Sequence, residues 1–498
     1  MDCFSKLPPE LRIRILSQFS STTTIFRLIQ ASPIMFSQYR ASKTTIRRHY
    51  VVNLLNGDRY EQLLQDALGL LYLELADNRP DNHVMRYIIR QWASKALPNP
   101  FEKKDQATID DLYKLFSHMS MFVEDFISKA TSSNPPQAYL CLPQIEIPSR
   151  GLYYNQHSFC PEHVTLDELT SSECQLLAWA FIRYDMLCKI DGHKAALLLD
   201  DGEYSAITKK VLYELANYEQ EAICCVFEYI KAVHGALYTV STRCSTRHAS
   251  SALRDNSADP VRLLYPDNLY FNPTAARKDM KLPQQCISAL LGYVYDLSGL
   301  GFDLLRNLVL FANKTQPEDM RSWLYTILSD WTRSQHPSPR NHRFPLLSRL
   351  SIDLNSRLDG SLRSSLVQRL SLTHSLDTVP PFSILPSILQ RSIFRQRAWV
   401  FLDDTRLCQK GLDHFPTIEE LDKQPTTAYG VEYVSEVEEG QRLRLLQLYQ
   451  YRREAGIKDT QNERQEYIFR ENDEASIPRF FHQSGNRDVT TFWRHIRN

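Results

Sequence analysis

The sequence predicts a mostly α-helical protein, and three observations carry that expectation. Apolar residues return at three- and four-residue spacings from the N-terminus onward. Helix-start signals, such as Ser32-Pro33 and Thr170-Ser171-Ser172-Glu173, stand where those stripes begin. No periodic repeat emerges, so the helices are expected to form a small N-terminal three-helix unit followed by a large irregular body with long loops rather than a regular solenoid.

The first helix begins near Pro9, because proline's fixed φ suits a first turn whose N–H groups have no partner in the helix. Leu11, Ile15 and Phe19 recur along one face and Leu16 joins them, while Arg12, Arg14 and Gln18 lie toward the other. The hydroxyl-rich run Ser20 to Thr24 breaks that helix and caps a second one bearing Ile25, Leu28 and Ile29. Ser32 is placed as the cap of a third helix and Pro33 as its first residue, with Phe36 and Tyr39 projecting from one side. Three short helices within about forty residues cannot bury a self-sufficient core, so a partner is the natural completion.

Leu7-Pro8-Pro9-Glu10-Leu11, the Ile15-Leu16 pair, the helix break, and the aliphatic residues leading to Ala31-Ser32-Pro33 and Phe36 together resemble the F-box family over roughly residues 4 to 45. The resemblance implies that these helices dock on a Skp-type adaptor of a cullin-RING ubiquitin ligase, and that the rest of the chain recruits a protein substrate. On that reading Leu7, Pro8, Leu11, Ile15 and Leu16 make the first contact, and Ile25, Leu28, Ile29 and Phe36 complete it. The chain departs from the family pattern at Thr22-Thr23-Thr24-Ile25, where an acidic residue or proline and then a leucine are common. The other reading is a helical scaffold with no ligase role, its first forty or so residues being a cap on the larger domain. The two differ in whether the body leaves the apolar faces of these helices accessible or covers them.

Beyond this unit, Ile46, Tyr50 and Leu54 continue a helix, and Tyr60 to Ala76 reads as another, ended by Asn78 to Asp81. Helices are expected over His83 to Leu97 and Ile109 to Lys129, the latter with Leu112, Leu115, Phe116, Met119, Phe122, Val123 and Phe126 on one broad stripe. Residues 132–169, interrupted by Pro135, Pro136, Pro143, Pro148 and Pro161, read as an ordered connecting loop. The helix from Cys174 to Ile190 is apolar on nearly every side and is expected at the centre of the body. Helical regions follow over Tyr204 to Val240 and Leu282 to Trp331, with a loop over Asp255 to Asp279 between them. The whole divides into 1–45, a helical body at 46–333, an irregular Ser/Arg/Pro-rich insertion or linker at 334–392, and a C-terminal part of the body at 393–498, in which an acidic run after Gly411 precedes a basic helix and the ending Phe492 to Ile496 docks back.

Within the body, Leu169 to Glu173, Ala180 to Tyr184, Tyr218 to Cys224 and Trp399 to Leu407 resemble short elements of a group of fungal F-box proteins, with Leu402 where tryptophan is expected. That resemblance implies a helical body with no chemistry assigned to it.

Composition bounds the remaining possibilities. With 43% hydrophobic and 23% charged residues the chain is globular, and a formal net charge of zero argues against a general nucleic-acid or membrane-surface binder. The segment up to His49 is the exception, since Arg and Lys far outnumber Asp and Glu there; it reads as a solvated face or as complementary to an acidic partner. No transmembrane stretch is expected, and ten scattered cysteines suggest reduced thiols in the cytoplasm or nucleus. Gly-rich phosphate loops, nucleophile elbows and His-Glu-x-x-His pairs are missing, so no enzyme activity or cofactor is expected. His157-x-x-Cys160-x-x-His163 with Cys141 has the residue types of a zinc site, but its spacing is unlike known fingers and a polar loop is the expectation. The adjacent Cys224 and Cys225 are read as core residues, not a redox pair.

Overall fold

The computed structural model describes residues 2–56, 62–77, 82–132, 138–139, 141–145, 152–154, 157–159, 162–191, 206–207, 211, 215–241, 297–314, 319, 395–402 and 406. The expectations for the loop at 255–279, the segment at 334–392, the acidic and basic runs after Gly411, and the C-terminal ending lie outside these residues.

Ten α-helices occur among the described residues, and the fold is mostly α as the apolar spacing predicts. They are α1 (Pro9–Gln18), α2 (Thr22–Ala31), α3 (Pro33–Ala41), α4 (Lys43–Leu55), α5 (Gln62–Asp77), α6 (Asn82–Ala93), α7 (Gln106–Ala130), α8 (Ser171–Asp191), α9 (Asn217–Ser241) and α10 (Phe302–Lys314). A 3-10 turn, Cys3–Lys6, precedes α1, and a second one, Leu166–Glu168, precedes α8.

Two helices organise the rest. The middle of α7 carries the predicted stripe, with Leu112, Phe116, Met119, Phe122, Val123 and Phe126 all buried against α4, α5 and α8. α8 touches α4, α5, α7 and α9, which is why no face of it could be polar. Its start is the predicted capping box. The Thr170 N–H donates to the Glu173 carboxylate at 2.7 Å, and the Glu173 N–H donates back to the Thr170 hydroxyl at 3.3 Å. Aromatic rings from four helices fill the space between. Phe126 lies 5.1 Å from Tyr229, and Phe302 lies 5.3 Å from Phe181 and 5.0 Å from Phe122, between ring centroids.

The polar residues inside α8 are answered from neighbouring helices. Arg183 donates to Asp66 of α5 at 2.6 Å, and the same carboxylate oxygen accepts from the Trp92 indole of α6 at 2.7 Å. Asp185 accepts from the Phe302 N–H at 3.0 Å and so caps α10. That approach requires Gly301, whose φ is +81° and where a Cβ would lie 2.4 Å from the Asp185 carboxylate. Within the helical region expected over Leu282 to Trp331, α10 therefore starts directly after Gly301.

Two further expectations are corrected. Residues 132–169 are not only loop: Leu152–Tyr154 and His157–Phe159 form an antiparallel hairpin, β1 and β2, with Tyr154 opposite His157. In α3, Phe36 and Tyr39 do not share an environment. Met35 and Tyr39, four residues apart, face the core, while Phe36 faces solvent.

Candidate functional site

The N-terminal unit is built from caps. Asp2 accepts from the Phe4 N–H at 2.9 Å with one carboxylate oxygen and from the Ser32 hydroxyl at 2.6 Å with the other, tying the first turn to the α2–α3 junction. These bonds, the Ser32 hydroxyl first and the Phe4 N–H next, hold the Asp2 carboxyl below its ordinary range. Leu7 is extended, its carbonyl accepts from Arg12 Nε at 2.9 Å, and Pro8 leads into α1 with Pro9 as first helical residue. Ser21 caps α2 by accepting from the Thr24 N–H at 3.2 Å, and Ser32 caps α3 by accepting from the Met35 N–H at 3.1 Å.

The unit is joined to the body through α7 and the 165–168 turn. Thr22 and Ser120 hydroxyls are 3.2 Å apart, and Thr23 donates to Glu124 at 2.7 Å. Asp167 accepts from the Ser20 and Ser21 N–H groups at 2.6 and 3.2 Å. Arg47 of α4 lies 3.5 Å from Asp110 with its guanidinium 4.8 Å from the Tyr113 ring centre, and Asn53 donates to the Ser17 carbonyl at 2.7 Å.

With the inner faces so engaged, the candidate contact residues divide into three groups. Leu16, Ile25 and Ile29 are buried in the core. Leu7, Ile15 and Leu28 are half-buried, and Pro8, Leu11 and Phe36 are exposed. Phe26, which the reading of α2 as an Ile25–Leu28–Ile29 stripe passes over, joins the exposed set. Leu11 at 44%, Phe26 at 49% and Phe36 at 45% exposure place one large apolar side chain on the outside of each of three consecutive helices. The signal for Phe26 was present: with Thr22, Ile25 and Ile29 inward, the residue after Ile25 turns about 100° away. Exposed charges around these residues are nearly all positive, namely Lys6, Arg14, Arg27, Arg40 and Lys43 against Glu10. Arg40 lies 5.8 Å from the centre of the Phe36 ring.

Other sites offer less. Cys224 and Cys225 are both buried, and burial, then Glu221, push the Cys225 thiol well up, which keeps it from acting as a thiolate. His163 sits 3.4 Å from Glu124, His157 lies on β2, and Cys160 is outside the described residues. Among the described residues no group of three or more His, Cys, Asp or Glu could hold a metal ion, and no helix is long and apolar enough to cross a membrane.

Segments far apart in the chain also meet in the body. Arg395 and Trp399 reach Glu221, Arg406 reaches Glu173, and Arg183 of the same α8 reaches Asp66. No family model, curated protein or solved structure matches the chain.

Proposed function

We propose that this protein is an F-box adaptor: α1 to α3 dock on a Skp-type subunit of a cullin-RING ubiquitin ligase, and the helical body recruits a protein for ubiquitination. The observation that carries the reading is the exposure of Leu11, Phe26 and Phe36 on consecutive helices whose other faces pack on one another and on α4 and α7. Three large apolar side chains turned outward within one small unit, together with exposed Pro8, fit a surface completed by a partner. The surrounding positive charge favours an acidic partner and speeds its approach. The chain contributes no reacting groups in this scheme; it raises the effective concentration of a substrate lysine near the ubiquitin-charged enzyme.

Pro8, Leu11 and Phe36 are the informative positions, because replacing exposed residues leaves the fold intact, whereas Leu16, Ile25 or Ile29 to Ala would damage the core. Titration of a purified Skp-type adaptor against Leu11→Ala with Phe36→Ala should show affinity weakened by about 2 kcal/mol or more, as expected for apolar anchors. Unchanged affinity refutes the assignment. A helical scaffold without ligase role is favoured by the ties from Ser20, Ser21 and Thr23 to the body, and it predicts that the intact protein does not bind the adaptor at all.

A further inference from the structure

A chain of contacts connects α2 to a segment almost four hundred residues further along the sequence. Residues 395–402 are buried across the body apart from half-buried Val400, and three arginines in or near them meet three helix ends. Arg395 makes two bonds to Glu221 in the second turn of α9, at 2.7 and 2.9 Å. Arg397 donates to the Ser132 carbonyl beyond the end of α7 at 3.3 Å. Arg406 donates to the Glu168 carbonyl, and its Nε lies 3.4 Å from Glu173 at the start of α8.

Glu168 belongs to the 165–168 turn, where its carboxylate accepts from the Thr165 N–H at 2.8 Å and hydroxyl at 2.9 Å in a capping box. The same turn holds α2 by two routes. Asp167 takes the Ser20 and Ser21 N–H groups, and the Leu166 N–H donates at 3.2 Å to Glu124, whose other oxygen takes the Thr23 hydroxyl. One turn thus contacts Arg406 and, through Asp167 and Glu124, the start of α2.

We propose that residues 395–402 and Arg406 act as a clamp that sets the seating of α2 through the 165–168 turn. Anything that draws this segment away from the body, such as a substrate bound near it, then loosens the helix that carries Phe26. The consequence for adaptor affinity rests on the proposed docking function; the mechanical coupling does not.

Hydrogen exchange on the full-length protein tests the coupling directly. Arg406 is partly exposed, so Arg406→Ala spares the core. It should accelerate exchange of amides 20–26 by about tenfold or more, as loss of a charge-assisted tie to a local opening unit implies, while amides 82–93 of α6 stay as in wild type. Arg406→Lys should recover part of the protection, and Asp167→Asn, which weakens the last link, should reproduce the effect. Wild-type exchange at 20–26 in Arg406→Ala, with Asp167→Asn still accelerated, overturns the clamp. Equal acceleration in α6 also overturns it, because the effect would then be general destabilisation. Titration of the Skp-type adaptor in parallel separates the two ideas: absent binding by wild type rejects the docking function and leaves the exchange result to judge the clamp.

Discussion

His234 has none of its surface exposed on α9, and neither ring nitrogen has a hydrogen-bond partner among the described residues. Burial therefore lowers its pKa to about 3 from an ordinary 6.5. The folded state refuses a proton that the unfolded chain accepts, so the stability from neutral His234 is whole above pH 6.5 and falls away on acidification toward 3, by about 1.4 kcal/mol per pH unit. Asp185 works in the opposite sense. Burial, then Asp303, push its carboxyl up to about 7 against the pull of Lys189, so its favourable protonated state is present at low pH and lost as pH rises through neutrality. The two oppose each other over mildly acidic pH. His234→Leu should unmask this: its Tm relative to wild type is expected to rise on going from about pH 7.5 to about pH 5, and a pH-independent difference would show that the imidazole is partnered. Nothing in the sequence around His234 announces it, because the absence of a partner is a property of the surrounding helices. Arg183 and Asp66 are alike in this respect, being ordinary charged residues until α5 and α8 bring them to 2.6 Å.

Caps and stripes made most helices readable. Ser32-Pro33 begins α3 where it should, and the box at Thr170 begins α8, because each signal acts on backbone groups within three residues of itself. Ser32→Ala removes both the cap on Met35 and the bond to Asp2, and should lower unfolding free energy in urea by about 1–2 kcal/mol; a change under a few tenths would mean water replaces the hydroxyl fully. The elements that escaped notice lacked such local marks. β1 and β2 are three residues each, too short for alternation to stand out in a proline-punctuated stretch. The start of α2 was marked locally by its Ser21 cap, but the tie of the Ser20 and Ser21 N–H groups to Asp167, nearly 150 residues away, left no local sign.

The molecule is closed by contacts distant in sequence. Arg395 and Glu221 are both buried, and Trp399 joins them with its indole 3.4 Å from the Glu221 carboxylate. Removing one charge strands the other in the interior, so Glu221→Leu should cost about 3–5 kcal/mol, whereas Glu221→Leu with Arg395→Met should recover most of it. Denaturant titration of the two single variants and the double variant checks this, and additive losses would show that the ions do not depend on each other. The sequence alone decided where helices form and which stripes are apolar, since periodicity and capping are encoded within a few turns of chain. Which apolar residues end inside was decided only by packing. Leu16, Ile25 and Ile29 are sealed by α4, α7 and their neighbours, while Leu11, Phe26 and Phe36 stay outside, because exposure depends on what arrives from elsewhere in the chain rather than on the helix that carries the residue.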